Sequence, residues 1–162
     1  MAAKRTLSHV DRGGKASMVD VSPKQPTARM ARAEGRIVMS AAAFKAVRDN
    51  TLTKGDVLGV ARVAGVMAAK RTPDLIPLCH PLALNDVQVR FDLEPKTHSI
   101  RCETEVRLTG VTGVEMEALT AVSVALLTVY DMAKSADKAM RIDGVRLLEK
   151  DGGKSGPWRA DG

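Results

Sequence analysis

Between Gly113 and Lys134 the chain runs Val-Glu-Met-Glu-Ala-Leu-Thr-Ala-Val-Ser-Val-Ala-Leu-Leu-Thr-Val-Tyr-Asp-Met-Ala, with no internal glycine or proline. The pattern predicts one long buried helix, from about Val114 to Ser135. Its charged groups stand only at its ends: Glu115 and Glu117 at the start, Asp131 and Lys134 at the finish. Glu117 and Asp131 fall within roughly 40° of each other on the helix wheel but about 21 Å apart along it. Two groups at that spacing cannot touch one small molecule within a single copy. Either they serve separate purposes, or a symmetric oligomer brings the start of one helix to the end of another.

The rest of the chain supplies elements for this helix to pack on. Ala28 to Met39 suits a strand, Ser40 is a good N-cap for a short helix through about Arg48, and a second helix runs from about Asp56 to Lys70. Prolines 73, 77 and 81 break regular helix between Thr72 and Leu84, and His80, standing before Pro81, is pushed to an extended conformation. Two alternating runs, about Asn85 to Leu93 and Ser99 to Leu108, read as a hairpin, and Met140 to Glu149 as a last strand. The order predicts an α+β, ferredoxin-like (split βαβ) fold: an antiparallel sheet with helices on one face. Residues 1–26, with little apolar content, read as a mobile arm; 27–150 form one domain; and 151–162 read as a flexible tail.

Charge and composition narrow the function. The net charge is +6 and aromatic residues make up 2% of the chain. A basic chain suits a phosphate-bearing partner, yet so few aromatics argue against single-strand stacking platforms and so against nucleic acid. No apolar run of membrane-spanning length lacks a charge, the N-terminus lacks an apolar secretory core, and Cys79 and Cys102 make no disulfide framework. A cytoplasmic protein with no membrane partner is expected.

Individual residues carry both structural and chemical readings. Glu115, three residues after Thr112, suits a capping box, whereas Glu117 lies a turn further in and is harder to explain structurally. Lys134 suits a helix C-terminus and sits at i+3 from Asp131, so a plain surface pair is one reading. Lys54 stands at the start of a helix, where the macrodipole disfavours a cation unless an anion is bound nearby. Cys79 and His80 have only His9, His98 and Cys102 to complete a metal set, so no metal is expected. Neighbours in an extended chain point to opposite faces, which argues against a catalytic Cys–His pair. Gly153-Lys154-Ser155 mimics the end of a P-loop, but Leu148 stands where the first glycine belongs.

Several strings together identify a relative: Met18-Val-Asp-Val-Ser22, Lys54-Gly-Asp-Val57, Asp74-Leu-Ile-Pro-Leu-Cys-His-Pro81, Thr112-Gly-Val-Glu-Met-Glu-Ala-Leu-Thr-Ala121, Tyr130-Asp-Met132 and Gly152-Gly-Lys-Ser-Gly156. In register from about residue 7 to 156, they resemble the MoaC family of molybdenum cofactor biosynthesis. The resemblance implies an enzyme, a lyase that converts 3′,8-cyclo-7,8-dihydroguanosine 5′-triphosphate to cyclic pyranopterin monophosphate with release of diphosphate. It implies a homohexamer, a trimer of dimers, with active sites between subunits. The family's substrate-contacting positions fall on Leu78, Cys79, His80, Met116 and Glu117, its catalytic aspartate on Asp131, and its functional lysines on Lys54 and Lys134. Arg29 falls on a basic position of its substrate pocket.

On that basis the two lysines are expected to transfer protons or stabilise phosphate. Asp131 would orient Lys134 or act as base, Glu117 and His80 would bond the guanine-derived ring, and Arg29 would meet the triphosphate. No cofactor is required, although Mg²⁺ commonly accompanies such groups. Two competing classes are a basic nucleotide- or RNA-binding module, which wants aromatics on central strands and finds only Phe91 near one, and a structural oligomeric subunit.

Overall fold

A computed structural model describes residues 14–161. In chain order the elements are β1 (Thr27–Val38), α1 (Ala41–Arg48), α2 (Val57–Lys70), α3 (Thr72–Leu75), β2 (Asp86–Glu94), β3 (Ser99–Gly110), α4 (Glu115–Ala133), β4 (Arg141–Asp151) and β5 (Trp158–Arg159). The strands lie in the order β2-β3-β1-β4-β5, every neighbouring pair antiparallel. The first four strands and helices α2 and α4 make the ferredoxin-like arrangement expected from sequence.

Alternation decides which face of the sheet is covered. On β1, Ala31, Ala33 and Ile37 are fully buried, while Arg32, Glu34 and Arg36 point to the other side. On β3, Ile100, Cys102, Val106 and Leu108 share the covered face. The helix α4 lies across β1, β3 and β4, and α2 packs beside it over β2. Ala118, Ala121, Val122, Ala125, Leu126 and Val129 of α4 are fully buried, so this helix, apolar enough by length and composition to cross a membrane, is a core element here. Small residues let α2 approach it closely. A Cβ at Gly65 would stand 3.1 Å from the Ala121 carbonyl oxygen and 3.3 Å from Ala125 Cβ.

The uncovered face holds a lattice of ion pairs. Arg32 meets Glu103 at 2.7 Å and Glu149 at 3.3 Å, while Arg101 meets Glu34 at 2.7 Å and Glu103 at 2.8 Å. Cross-strand register brings them together, since Arg32 stands opposite Glu105 and Glu34 opposite Glu103.

Three local differences from the sequence reading have simple causes. The segment after Lys70 takes one helical turn, α3, because Pro73 lies in its first turn, where a missing N–H costs nothing. Ser40 caps α1 through Ala43 N–H as expected, but α4 has Val114 at its N-cap and no side-chain cap bond. Past Asp151 the chain turns through Gly152, Gly153 and Gly156, all at positive φ, and returns as β5 with Trp158 opposite Lys150. Of the arm expected at 1–26, residues 1–13 lie outside the described part; 14–26 form no helix or extended strand.

Because α2 and α4 meet backbone to backbone at Gly65, Gly65→Leu is expected to destabilise the fold by about 1–3 kcal/mol or more, read as a lowered urea midpoint.

Candidate active site

The C-terminal end of α4 carries a three-residue charge cluster. Asp131 Oδ1 lies 2.6 Å from Lys134 Nζ and Asp131 Oδ2 lies 2.8 Å from Lys54 Nζ. Lys54 Nζ also donates to the Asp131 carbonyl oxygen at 3.1 Å. Lys134 arrives as the C-cap residue, one turn past Asp131. Lys54 arrives from a tight turn in which Gly55, at φ +83°, reverses the chain. The expectation that Lys54 stands at a helix N-terminus is corrected here. The helix α2 starts at Val57 with Asp56 as its cap, and the Lys54 ammonium reaches the C-terminal end of α4, where the dipole favours a cation. Both lysines hold the Asp131 carboxyl down at about 2, the Lys134 contact being the larger cause, and Asp131 in turn raises Lys134. All three side chains are about half exposed, so the cluster contributes little stability. Its importance is positional: two ammonium groups are held at one carboxylate.

The N-terminal end of α4 forms one wall of a cavity of about 430 Å³. Leu78, Cys79 and His80 line it from the proline-stiffened segment, Met116 and Glu117 from α4, and Val19 and Val21 from the chain before β1. All five substrate-contacting positions expected there are thus in one cavity. His80 Nε2 lies 2.9 Å from the Val19 carbonyl oxygen, which fits the tautomer with Nε2–H donating and Nδ1 free to accept. Glu117 is 3% exposed. Burial pushes its carboxyl up to about 7, with the Glu115 charge adding in the same direction. Burial, and then Glu117, raises the Cys79 thiol, so Cys79 is not an activated nucleophile.

Arg29 sits apart from both clusters, on a neighbouring concavity of about 540 Å³ lined also by Lys24, Gly153, Lys154 and Ser155. Its guanidinium donates to the carbonyls of Gly110 and Val111, both at 3.3 Å. Gly153, at φ +79°, holds a backbone conformation that favours glycine, and the loop turns there beside that guanidinium. Lys24 lines both concavities and joins them. Lys150 reaches Glu115 at 3.1 Å and Ser155 Oγ at 3.0 Å, tying the loop to the start of α4. The capping box expected for Glu115 does not form: α4 has no side-chain cap bond, and the Glu115 carboxylate pairs with Lys150.

Lys24 and Lys150 were not singled out from sequence, and Lys154 was named there only within the Gly153-Lys154-Ser155 string set aside as a P-loop mimic; the glycines of that string build a loop beside Arg29. Among the described residues no three His, Cys, Asp or Glu side chains converge to hold a metal.

Comparison with known proteins matches the chain to the MoaC family model over residues 18–153. It is 61% identical over 156 residues to a cyclic pyranopterin monophosphate synthase of Methylobacterium sp. (strain 4-46), covering 96% of this chain and 98% of that one. It is 59% identical to the protein of that name from Novosphingobium aromaticivorans, covering 95% and 97%. With the one from Chloroflexus aggregans the identity is 56%, covering 96% and 94%.

Glu117 generates a stability prediction. Its folded value of about 7 lies above the ordinary 4.5, so the unfolded chain ionises first and the buried carboxyl weakens the fold increasingly between those two pH values. Glu117→Gln is therefore expected to be near neutral below pH 4.5 and to stabilise by up to about 3 kcal/mol above pH 7. Denaturant midpoints measured at pH 5 and pH 8 check it; equal effects at both would refute the buried-carboxyl account.

Proposed function

The chain belongs to the MoaC family, and on that premise we propose that it is a cyclic pyranopterin monophosphate synthase acting in molybdenum cofactor biosynthesis. Its substrate in this reading is 3′,8-cyclo-7,8-dihydroguanosine 5′-triphosphate. The reaction opens part of the purine-derived ring, builds the pyrano ring and closes a cyclic phosphate. Closure makes one P–O bond at the phosphorus nearest the sugar and breaks the bond to diphosphate, which makes the enzyme a lyase with no net redox change. It needs proton transfers and neutralisation of charge on the departing diphosphate.

The observation that carries this reading is the Lys54–Asp131–Lys134 cluster at one end of a helix whose other end walls a cavity of nucleoside size. Lys134, held protonated by Asp131, is suited to donate a proton or to neutralise an oxyanion. Asp131 stays ionised to about pH 2, so it orients the two ammonium groups; as a base it would be weak. Glu117 and the free Nδ1 of His80 accept from the N–H edge of the guanine-derived ring. Arg29, with Lys24 and Lys154 beside it, meets the triphosphate. The chain supplies no metal set of its own among the described residues, so Mg²⁺ would enter as a companion of the triphosphate. In this reading the enzyme is a hexamer, three dimers, whose sites draw on more than one subunit.

A nucleic-acid-binding module is disfavoured by the sheet itself. Its open face is filled by the ion pairs of Arg32 and Arg101, and Phe91 lies on the helix side with Arg62 over its ring at 5.9 Å.

Given the cyclised GTP intermediate, Lys54→Ala, Lys134→Ala and Asp131→Asn are each expected to lose about 10²–10⁴-fold in turnover while folding normally. Wild-type rates in all three would sink the assignment. At subsaturating substrate, turnover is expected to rise through about pH 7 as Glu117 ionises, and Glu117→Gln should abolish that inflection.

A further inference from the structure

The turn that follows Lys134 is bonded on both of its sides. Between α4 and β4 the chain runs Lys134-Ser-Ala-Asp-Lys-Ala139. Ala136 N–H and Asp137 N–H both donate to the Ala133 carbonyl oxygen, at 2.9 and 3.3 Å, so the turn folds back on the end of α4. Tyr130 Oη, one turn before Lys134, donates to the Lys138 carbonyl oxygen at 2.9 Å. The Asp137 carboxylate takes two further bonds: Oδ1 accepts from Ala139 N–H at 2.8 Å and Oδ2 from Ser40 N–H at 2.7 Å. These donors hold its carboxyl below the ordinary value, the Ser40 bond being the larger cause, so it is ionised at neutral pH.

The Ser40 bond reaches a distant part of the fold, 97 positions away. Ser40 is the N-cap of α1, and its hydroxyl accepts from Ala43 N–H. Its own N–H needs an acceptor, which a capping box would supply from the third helical position. That position is Ala43, and the first turn of α1 holds no acidic residue. Asp137 supplies the missing carboxylate and so joins the start of α1 to the turn that begins at Lys134. The other end of α1 leads to Lys54. Thr51 N–H bonds the Ala46 carbonyl oxygen of α1, and Gly55 N–H bonds that of Leu52 in the turn that carries Lys54. One carboxylate thus stands between the two segments whose lysines meet at Asp131, yet it bonds none of the three cluster side chains.

We propose that Asp137 is a positioning residue for the Lys54–Asp131–Lys134 cluster, acting by joining these two segments and not by meeting the substrate. Its effect on turnover rests on the reaction proposed above; its effect on the cluster does not.

Asp137→Ala in the full chain tests both. Its kcat is expected to fall about 10–100-fold with KM within about twofold, because a displaced ammonium costs transition-state stabilisation while the ring-binding cavity is untouched. Lysine reactivity reads the cluster without the reaction. Asp131 raises Lys134 in the native chain, so acetic anhydride should label Lys134 slowly. Loosening of the pair is expected to raise that label about 2–5-fold against the exposed Lys96. Ser40→Ala is the control for lost stability. It removes the hydroxyl cap and lowers the urea midpoint but keeps the N–H that Asp137 accepts, so kcat and labelling should stay native. Asp137→Asn has the same shape but offers one acceptor oxygen to two donors. It should shift kcat and labelling the same way by less, and it carries the test if the alanine variant does not fold.

A fall in kcat with faster labelling of Lys134, both absent from Ser40→Ala, supports the inference. Faster labelling in a protein whose native form does not turn over the cyclised GTP intermediate keeps the positioning and sinks the proposed reaction. Native labelling in both Asp137 variants, native kcat in both, or equal losses in Ser40→Ala overturns the inference.

Discussion

The burial of α4 is the constraint on which the other features depend. A 19-residue helix pressed on a sheet and a second helix behaves as a rigid spacer, and its length alone separates its ends. The helix dipole favours carboxylates at the start and ammonium groups at the finish; Glu115, Glu117 and Lys134 follow it, while Asp131, in the last turn, runs against it and is held by the two lysines. Lys54 adds to the finish from another element, drawn there by the Asp131 carboxylate and the terminal carbonyl. At the start, burial works against the dipole. Glu117 is enclosed deeply enough that desolvation prevails, and its carboxyl ionises only near 7.

The packing that makes α4 rigid also explains why its core is built from small residues. Ala118, Ala121 and Ala125 face β-strands on one side and Gly65 of α2 on another, so backbones approach where larger side chains would hold them apart. The turn that places Lys54 is held by its own Gly55 N–H to Leu52 carbonyl bond and by the positive φ of Gly55.

Much of the fold was legible because it depends on local signals. Alternation marked β2 and β3, Ser40 marked the start of α1, and the unbroken apolar run marked α4. The grouping of the candidate residues was legible where they are neighbours in sequence: Leu78 to His80 and Met116 with Glu117 line one cavity, and Asp131 pairs with Lys134. It was not legible where partners are distant in the chain. Glu115 lost its expected capping role to Lys150, 35 positions later, and Lys54 turned from its own helix to the end of another. Arg29 is framed by carbonyls of Gly110 and Val111 and by the loop at Gly153, none of which periodicity or spacing can connect. In each case the competing partner is a tertiary one, and a charged side chain follows the nearest opposite charge in space.

The division of titrating groups gives the separation of the ends a chemical sense. Proton transfer needs one group that holds its proton at neutral pH and one that can exchange it. In the proposed reaction Lys134, raised by Asp131, would be the first, and Glu117, near 7, would be the second. Were both on one end of one helix, the ammonium would pull the carboxyl back toward its ordinary value and erase the difference. Twenty-one ångströms of apolar helix, about 14 residues of rise, keep them apart within a copy. In the proposed reaction a triphosphate met by Arg29, Lys24 and Lys154 would supply the negative charge that the lysines neutralise. That substrate, and not Glu117, would then be the counterion of the cluster, which leaves the carboxyl to titrate near 7.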